Sequence, residues 1–275
     1  MSDAGRLAVV AVPIGNADDI TLRALRVLRE AAAVYCEDTR TTQALLAHHG
    51  QRARCVSLHD HNEAERIPEV LARLVAGESL ALVSEAGTPL VNDPGFRLVR
   101  ACVEAGLGVD VLPGASAPLA ALVGAGLPVD RFFFGGFFPR ETGARAALAD
   151  ELRGLRATLC FLESPQRLGD TLEWLAGAWA ERPVCVARNL TKAHEQWLRG
   201  SAADVREALG DEVRGEVVLL LGPPPERPLH TDPDALAQTL LDRGMDARAA
   251  RDALAEATGL SRRDADRKIL DRLGR

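Results

Sequence analysis

Short apolar runs alternate with helix-length amphipathic stretches along most of this 275-residue chain. This alternation predicts an α/β fold with a largely parallel sheet. A first series of strands is predicted at 7–15, 33–38, 54–60, 79–87 and 108–114. A second series contains the segments TLCFLES, VCVARNLTK and GEVVLLLG. Two α/β domains are therefore expected.

The rhythm breaks near Leu127, and five of the seven phenylalanines follow within 132–138. We expect these rings at a domain junction or in a dimer core, in preference to a base-stacking platform. Further on, the stiff stretch GPPPERP predicts a linker. The expected organisation is an N-terminal α/β domain with strand-end binding loops (1–127), a second α/β domain (128–222), a proline-rich linker (223–230) and a helical C-terminal segment (231–275).

Composition narrows the class of protein. The net charge of −6 disfavours a general basic coat for nucleic acid, although a local basic patch remains compatible with it. The five cysteines are scattered and form no C-x-x-C pair, which disfavours a disulfide framework or a zinc site. Neither a signal peptide nor a membrane-spanning segment is expected. The sequence thus predicts a soluble cytoplasmic protein without a metal.

Polar loops follow five predicted strands, at 12–16, 37–40, 59–63, 84–95 and 112–118. The carboxyl ends of parallel strands share one edge of a sheet, where ligands bind in α/β folds. The turns at the opposite edge, such as HHGQRA and VAGE, are plainer. This asymmetry predicts a binding pocket at the loop edge.

Each loop also has a purely structural interpretation. Asp93 can cap a helix beginning at Pro94, Ser116 is a plausible N-cap, and Asn62 with Glu65 resembles a capping box. The 37–40 segment can cap the helix that follows it. A metal at the histidines of HDHNE is disfavoured, because neither a third histidine nor a cysteine is nearby. No G-x-G-x-x-G, phosphate-loop or G-x-S-x-G motif is present.

Taken in order, the segments VPIGNADDITLRAL, EDTR, LHDHNE, LVSEAGTPLVNDPG and LPGASA closely resemble one family. It is the family of bacterial 16S ribosomal RNA cytidine 2′-O-ribose methyltransferases, within the tetrapyrrole methylase superfamily. The resemblance continues through LPVDRFFFGGFFPR, FLESPQRL, ARNLTKAHE and GEVVLLLG, and so covers nearly the whole chain. It implies two α/β domains with S-adenosylmethionine bound in the cleft between them, 16S rRNA of the small ribosomal subunit as partner, and a homodimer.

The resemblance also implies the residues that contact the cofactor. They are Ser84, Glu85, Ala86, Gly87 and Thr88, joined by Gly15, Pro113, Gly114 and Ser116. Three positions depart from the family pattern. Glu85 stands in place of the usual aspartate, Asn189 in place of the usual glutamate, and Gln166 where histidine is frequent. The last two departures weaken any catalytic role at those positions.

A ribose hydroxyl is a poor nucleophile, so alignment with the activated methyl group and a general base are the expected contributions of the protein. Catalytic candidates are Glu37, Asp38, His59 and Lys192, with His61, Glu163 and Glu195 as further candidates. The sequence does not choose among them.

Arginines are the candidate contacts to RNA phosphates. Arg40 and Arg167 suit this role, with ion pairs to Asp38 and Glu163 as an equally weighted alternative. Arg140, Arg262, Arg263 and Arg267 are the other candidates, and the last three lie in a tail expected to dock RNA. Two rival functions stay open: methylation of a tetrapyrrole or other small acceptor, and non-catalytic RNA binding.

Overall fold

A computed structural model describes residues 4–210, 213–224 and 232–273 of the chain. The chain divides into two compact units, Met1–Pro224 and Pro225–Arg275. Most of the predicted linker, residues 225–230, lies outside the described residues. In the described parts of the chain, no helix has the length and apolarity needed to span a membrane.

The first sheet of the larger unit is fully parallel, as the strand–helix alternation predicts. Its strands are β1 (Arg6–Val10), β2 (Ala33–Cys36), β3 (Cys55–Ser57), β4 (Leu80–Leu82) and β5 (Gly108–Leu112), in the spatial order β3-β2-β4-β1-β5. Its helices are α1 (Leu22–Glu30), α2 (Thr39–His48), α3 (Glu63–Val75), α4 (Phe96–Glu104) and α5 (Ala117–Gly124). Alternate β1 residues enter different cores, with Leu7 in one and Val10 in the other. Burial of both faces explains why these strands are continuous apolar runs.

The second sheet corrects the expectation of a largely parallel architecture. Its strands are β6 (Phe132–Phe137), β7 (Thr158–Glu163), β8 (Val184–Arg188), β9 (Gln196–Gly200) and β10 (Val217–Leu221), in the order β6-β7-β10-β8-β9. Only β6 and β7 are parallel; the other three pairs are antiparallel. The connection from β8 to β9 is too short for a crossover, so these strands pair antiparallel. Its helices are α6 (Thr142–Leu152), α7 (Leu168–Ala178) and α8 (Ala202–Ala208).

A shared apolar cluster joins the two sheets within the larger unit. Ile14 and Ala121 from the first sheet's side are buried with Cys160, Leu190 and Leu220 from the second. The phenylalanine run divides between two environments: Phe134 packs against this junction and Phe138 is buried in the second sheet's own core. Phe132 and Phe137 remain largely exposed, so the run is only partly a junction core.

Some of the strand-end loop residues predicted to cap the following helices do so, and others do not. Asp38 is the N-cap of α2 and accepts a hydrogen bond from the Arg40 N–H, as predicted. Asn62 occupies the N-cap position of α3, but its side chain bonds the His59 N–H and the Ser57 carbonyl, and no capping box forms. The interpretation of Asp93 as a helix cap is wrong, because α4 begins at Phe96 with Gly95 as its N-cap.

The smaller unit is helical, as its sequence predicts. It contains α9 (Pro233–Asp242), α10 (Ala247–Thr258) and α11 (Arg262–Arg272). Ala237, Ala250, Leu254, Ala265 and Ile269 form its core. Gly259 ends α10 at a φ of 70°, and Ser261 caps α11 by accepting a bond from the Asp264 N–H. A turn of three residues therefore joins α10 to α11.

Candidate active site

Three adjoining cavities lie at the carboxyl edge of the first sheet, inside the larger unit. All three are lined by Ile14 and Glu216. We call them the apolar cavity, of about 360 Å³, the narrow cavity, of about 160 Å³, and the outer cavity, of about 380 Å³. Three of the five strand-end loops predicted to form a pocket line these cavities, namely 12–16, 84–95 and 112–118, whereas residues 37–40 and 59–63 line none of them.

The apolar cavity is formed mostly by residues that the sequence did not single out. It is lined by Ile14, Ala117, Phe137, Leu162, Ala187, Leu190, Val217 and Val218, together with Glu163, Ser164, Pro165, Gly215 and Glu216. These positions come from both sheets and are far apart in sequence. Nothing in a local sequence pattern distinguishes them from ordinary core residues, so only the folded chain reveals them.

The narrow cavity brings together several predicted cofactor contacts. Ala86, Gly87, Thr88 and Ser116 line it, with Asp93 beside them. The Thr88 hydroxyl donates to the Ala115 carbonyl at 3.0 Å, which ties the loop after β4 to the loop after β5. Ser116 occupies the N-cap position of α5 without a capping bond from its side chain. Its hydroxyl is therefore not committed to the helix.

Gly87 shapes both the backbone of its loop and the wall of the cavities. Its N–H and C=O pair with Val12 at 2.9 and 2.8 Å, and its φ is 74°. An added Cβ would lie 3.3 Å from Ile14 Cγ2, at the wall shared by the cavities. Only glycine adopts this conformation without strain, so Gly87 fixes both the loop and the cavity wall.

Gly15 lies where a loop of the first sheet closely approaches a loop of the second. An added Cβ would be 2.6 Å from Lys192 Cγ and 2.7 Å from Thr191 Oγ1. The neighbouring Asn16 N–H donates to that threonine hydroxyl at 3.0 Å. Gly15 also lines the outer cavity. Pro113 and Gly114 are exposed and line none of the three cavities, although they belong to the adjacent loop.

Carboxylates concentrate at the outer cavity. Ser84 and Glu85 line it, and Glu37 and Asp60 act electrostatically on the same region. Burial, with the nearby charges of Glu85 and Asp60, raises the pKa of Glu37. Desolvation is the larger cause and repulsion between like charges the second.

Two of the four predicted catalytic candidates, Asp38 and Lys192, form ion pairs, whereas Glu37 and His59 form none within the part of the chain that the structure describes. Asp38 is tied to Arg40, whose side chain and backbone lower its pKa to about 2, and it is a weak base for that reason. Lys192 forms an ion pair with Glu216 at 2.9 Å. Glu37 is exposed and lines none of the three cavities, and His59 has a buried Nδ1 with no hydrogen-bond partner among the described residues.

Two of the further candidates, Glu163 and Glu195, already accept several hydrogen bonds. Glu163 is buried and accepts from the Ser164 N–H, the Thr171 hydroxyl and Arg167. Glu195 accepts from the Thr191 N–H and from Trp197 Nε1, and the backbone bond lowers its pKa. His61 is exposed, with its ring 5.9 Å from that of His59.

The positions that depart from the family pattern have local explanations. Asn189 has a φ of 51°, which asparagine tolerates better than glutamate, and its Oδ1 accepts from the Glu216 N–H at 3.3 Å. It therefore positions Glu216, at the cavity wall. Gln166 is exposed and lines none of the three cavities. Glu85 is exposed and reaches the outer cavity.

The predicted phosphate contacts differ in their surroundings. Arg40 pairs with Asp38 at 2.7 Å and is highly exposed, while Arg167 pairs with the buried Glu163. In both cases the structure contains the ion pair of the alternative interpretation. Arg140 is exposed. In the described parts of the chain, no three His, Cys, Asp or Glu side chains lie close enough together to hold a metal ion.

Comparison with known proteins agrees with this architecture. Residues 6–206 match the family model of tetrapyrrole (corrin/porphyrin) methylases. A "Ribosomal RNA small subunit methyltransferase I" of Micromonospora olivasterospora is 46% identical over 94% of this chain and 84% of that protein. One of the same name from Mesorhizobium japonicum is 42% identical over 96% of this chain and 91% of that protein.

A solved structure supports the fold. Uroporphyrin-III C-methyltransferase from Thermus thermophilus, complexed with S-adenosyl homocysteine, has a TM-score of 0.55 at 23% identity, over 79% of this chain and 97% of that one. The two sheets thus have the two-sheet α/β fold of that solved structure. The chain belongs to the tetrapyrrole methylase family. It is a methyltransferase whose methyl donor is S-adenosylmethionine.

The cavities fit this cofactor chemically. The lining of the apolar cavity suits a purine ring, and the carboxylates at the outer cavity suit a positively charged sulfonium. The Gly87 and Ser116 loops would hold the remainder. When bound, the cofactor supplies an activated methyl group.

Replacing Gly87 by valine tests this placement. Valine resists a positive φ and would push its branches toward Ile14, so we expect S-adenosylmethionine affinity to fall at least about tenfold, which corresponds to about 1.4 kcal/mol. Gly106→Val is the matched control, because Gly106 has a similar φ of 68° and no atom near the added Cβ. Calorimetric titration of both folded variants measures the effect. Unchanged affinity in Gly87→Val would contradict the placement.

Proposed function

We propose that this methyltransferase modifies the 2′-hydroxyl of a cytidine ribose in 16S ribosomal RNA of the small subunit. The observation that carries the proposal is the pair of relatives named ribosomal RNA small subunit methyltransferase I, each matched over more than nine-tenths of this chain. This coverage extends past the family model's match at residues 6–206. The similarity to rRNA enzymes thus includes sequence outside the methylase match.

Alignment is the main contribution expected from the protein. The sulfonium methyl is already activated, so holding it in line with the acceptor oxygen supplies most of the rate enhancement. Ser84, Gly87, Thr88 and Ser116 would bind the cofactor from the first sheet. The exposed edge beside the outer cavity, near Glu37, would receive the nucleotide.

We place the enzyme in the cytoplasm, where ribosomal subunits are assembled, and as a homodimer. Exposed apolar side chains on α4 and β5, including Val103 and Val111 at 64% each, are consistent with a further covered surface. Analytical ultracentrifugation of the full chain measures the oligomeric state directly.

The RNA contacts of the C-terminal unit are best assigned from its charge pairs. Arg248, Arg251 and Arg262 all act on the single carboxylate of Asp252. Arg251 is itself paired with Asp252 at 2.8 Å, but three arginines share that one carboxylate and leave a net positive charge. Arg267, in contrast, is matched by a carboxylate of its own, that of Asp264 at 3.3 Å. We therefore propose that RNA docks on the cluster formed by Arg248, Arg251 and Arg262, with Arg263 exposed on the same helix as Arg262. Bidentate guanidinium–phosphate contacts suit this cluster.

Methyl transfer from labelled S-adenosylmethionine tests the function. We expect label in 16S rRNA when small ribosomal subunits are supplied, and none in a porphyrinoid acceptor. Mass mapping of the labelled RNA should locate the methyl on a cytidine ribose. Label in the porphyrinoid would favour the small-acceptor alternative. Absence of cofactor binding in calorimetry would favour a non-catalytic RNA-binding protein.

A further inference from the structure

Asp93 lacks the structural role that its sequence context predicts. An aspartate directly before proline is well placed to cap a helix. In the structure, Gly95 takes the N-cap position of α4 with a φ of 119°, and no side-chain cap bond is made. The Asp93 carboxylate therefore does not cap α4, the helix that follows its loop.

The backbone of that loop is strained on one side of Asp93. Leu90 and Asn92 have φ values of 71° and 66°, which non-glycine residues rarely adopt. The Asn92 amide lies against β6, since a Cβ added to Gly136 would be 3.0 Å from Asn92 Nδ2. Strain of this kind persists only when surrounding contacts hold it, and it concentrates at functional sites.

The held loop puts Asp93 in the wall of the narrow cavity. Thr88, Ser116, Phe137 and Glu216 line the same cavity. Asp93 is half-buried there. It therefore shares a cavity with the proposed cofactor loops and is close enough to Glu37 for the two charges to interact.

The charged groups around Asp93 favour its protonated form. Burial is the larger cause, and Glu37, Glu85 and Asp60, from the loops after β2, β4 and β3, add repulsion. Together they raise the pKa of Asp93 to about 6, while the nearby Ser84 hydroxyl opposes the rise. His59 acts on neighbouring Glu37, and from the second sheet Glu216 lines the cavity while paired to Lys192. A base is most effective when its pKa lies near the working pH.

We propose that Asp93 accepts the proton of the acceptor hydroxyl during methyl transfer. This inference rests on the proposed function, because it requires a hydroxyl acceptor. The hydroxyl oxygen bonds to the methyl carbon, and its proton passes to an Asp93 carboxylate oxygen. The bond between the methyl carbon and sulfur breaks, and its electron pair stays on sulfur. Asp93 then returns the proton to water.

The test compares the full-length wild type with Asp93→Asn, which preserves the size of the side chain. With small ribosomal subunits as acceptor, we expect Asp93→Asn to lower kcat by about 10²–10⁴-fold. The affinity for S-adenosylmethionine, measured by calorimetry, should change less than about threefold, since the proposed role concerns the acceptor. The wild-type rate should fall below pH about 6, and this acid limb should vanish in Asp93→Asn. Asp93→Glu should recover part of the rate.

Asp60→Asn is the matched control, because it removes one carboxylate from the same surroundings at an exposed position. The Asp60→Asn variant should still lose rate at acid pH, but this loss should begin at a lower pH. The reason is that removing the Asp60 charge removes one cause of the raised pKa of Asp93. Thermal unfolding gives a readout independent of turnover. A raised folded-state pKa means that charged Asp93 opposes folding above pH about 6, so Asp93→Asn should raise Tm at pH 8 and lose that advantage toward pH 4.

Three results would overturn the role of Asp93. They are near-normal turnover of Asp93→Asn, a surviving acid limb in that variant, and a loss of cofactor affinity as large as the loss of rate. In all three the wild type still methylates the subunits, so the proposed function stands. A wild type that binds S-adenosylmethionine but does not methylate the subunits overturns the proposed function, and the inference with it.

Discussion

Replacing Arg182 by methionine should destabilise the protein by at least about 3 kcal/mol, because each buried acceptor left without a donor costs about 1–3 kcal/mol and several are affected. Arg182 is 3% exposed, and burial lowers its pKa. Its guanidinium donates to four carbonyls, those of Leu152, Leu155, Ala157 and Gly222. The methionine side chain has no hydrogen-bond donor, so the substitution leaves these buried carbonyl acceptors without donors.

Denaturant unfolding of the wild type and variant measures this loss. Arg100→Met is the matched control, because Arg100 is exposed and pairs with Glu104 at 2.7 Å, one turn away. That pair is worth about 0.3–0.5 kcal/mol. If the two variants lose similar stability, the bonds of Arg182 are not a main support of the second sheet.

Ending the chain at Pro224 should abolish methylation of small subunits while preserving cofactor binding. The residues removed form a separate compact unit with its own core, and the cavities belong to the larger unit. We expect the affinity for S-adenosylmethionine to change less than about threefold and kcat/KM on subunits to fall at least about 100-fold, as for the loss of several phosphate contacts. Full-rate methylation by the truncated chain would show that the C-terminal unit does not dock RNA.

Arg248, Arg251 and Arg262 refine this test in the full-length protein. Changing all three to glutamine should weaken subunit binding and reduce the slope of log affinity against log salt by up to about 3, one for each phosphate contact. Arg100→Gln, in the larger unit, should leave the slope unchanged. A triple variant with the wild-type slope would exclude these arginines as phosphate contacts.

Most of the first sheet follows from the sequence, whereas the second sheet does not. The apolar runs of β1 and β4 predict strands that are buried on both faces, and the helices between the strands predict parallel pairing. The runs of β8 and β10 look the same in sequence, yet these strands pair antiparallel. The relative direction of paired strands depends on which strands become neighbours in the folded sheet. An apolar run by itself does not indicate its neighbours.

The candidate site divides in the same way. The loops containing Ser84, Gly87 and Ser116 could be located from sequence, because strand ends and motifs are local signals. The contribution of Glu216 could not, because it depends on Asn189 and on three cavities closing around it. The proposed assignment of Asp93 required seeing Gly95 at the cap position it was expected to serve.

By itself, then, the sequence determined what short-range physics controls: where the strands of the first sheet lie, that Asp38 occupies an N-cap, and that polar loops share one sheet edge. Tertiary structure alone decided which loops meet and which charges are free. The Asn16–Thr191 hydrogen bond, which helps close the cleft, joins residues 175 positions apart. Such contacts depend on the packing of the whole unit, and the electrostatic surroundings of Asp93, built by loops after three different strands, depend on it equally.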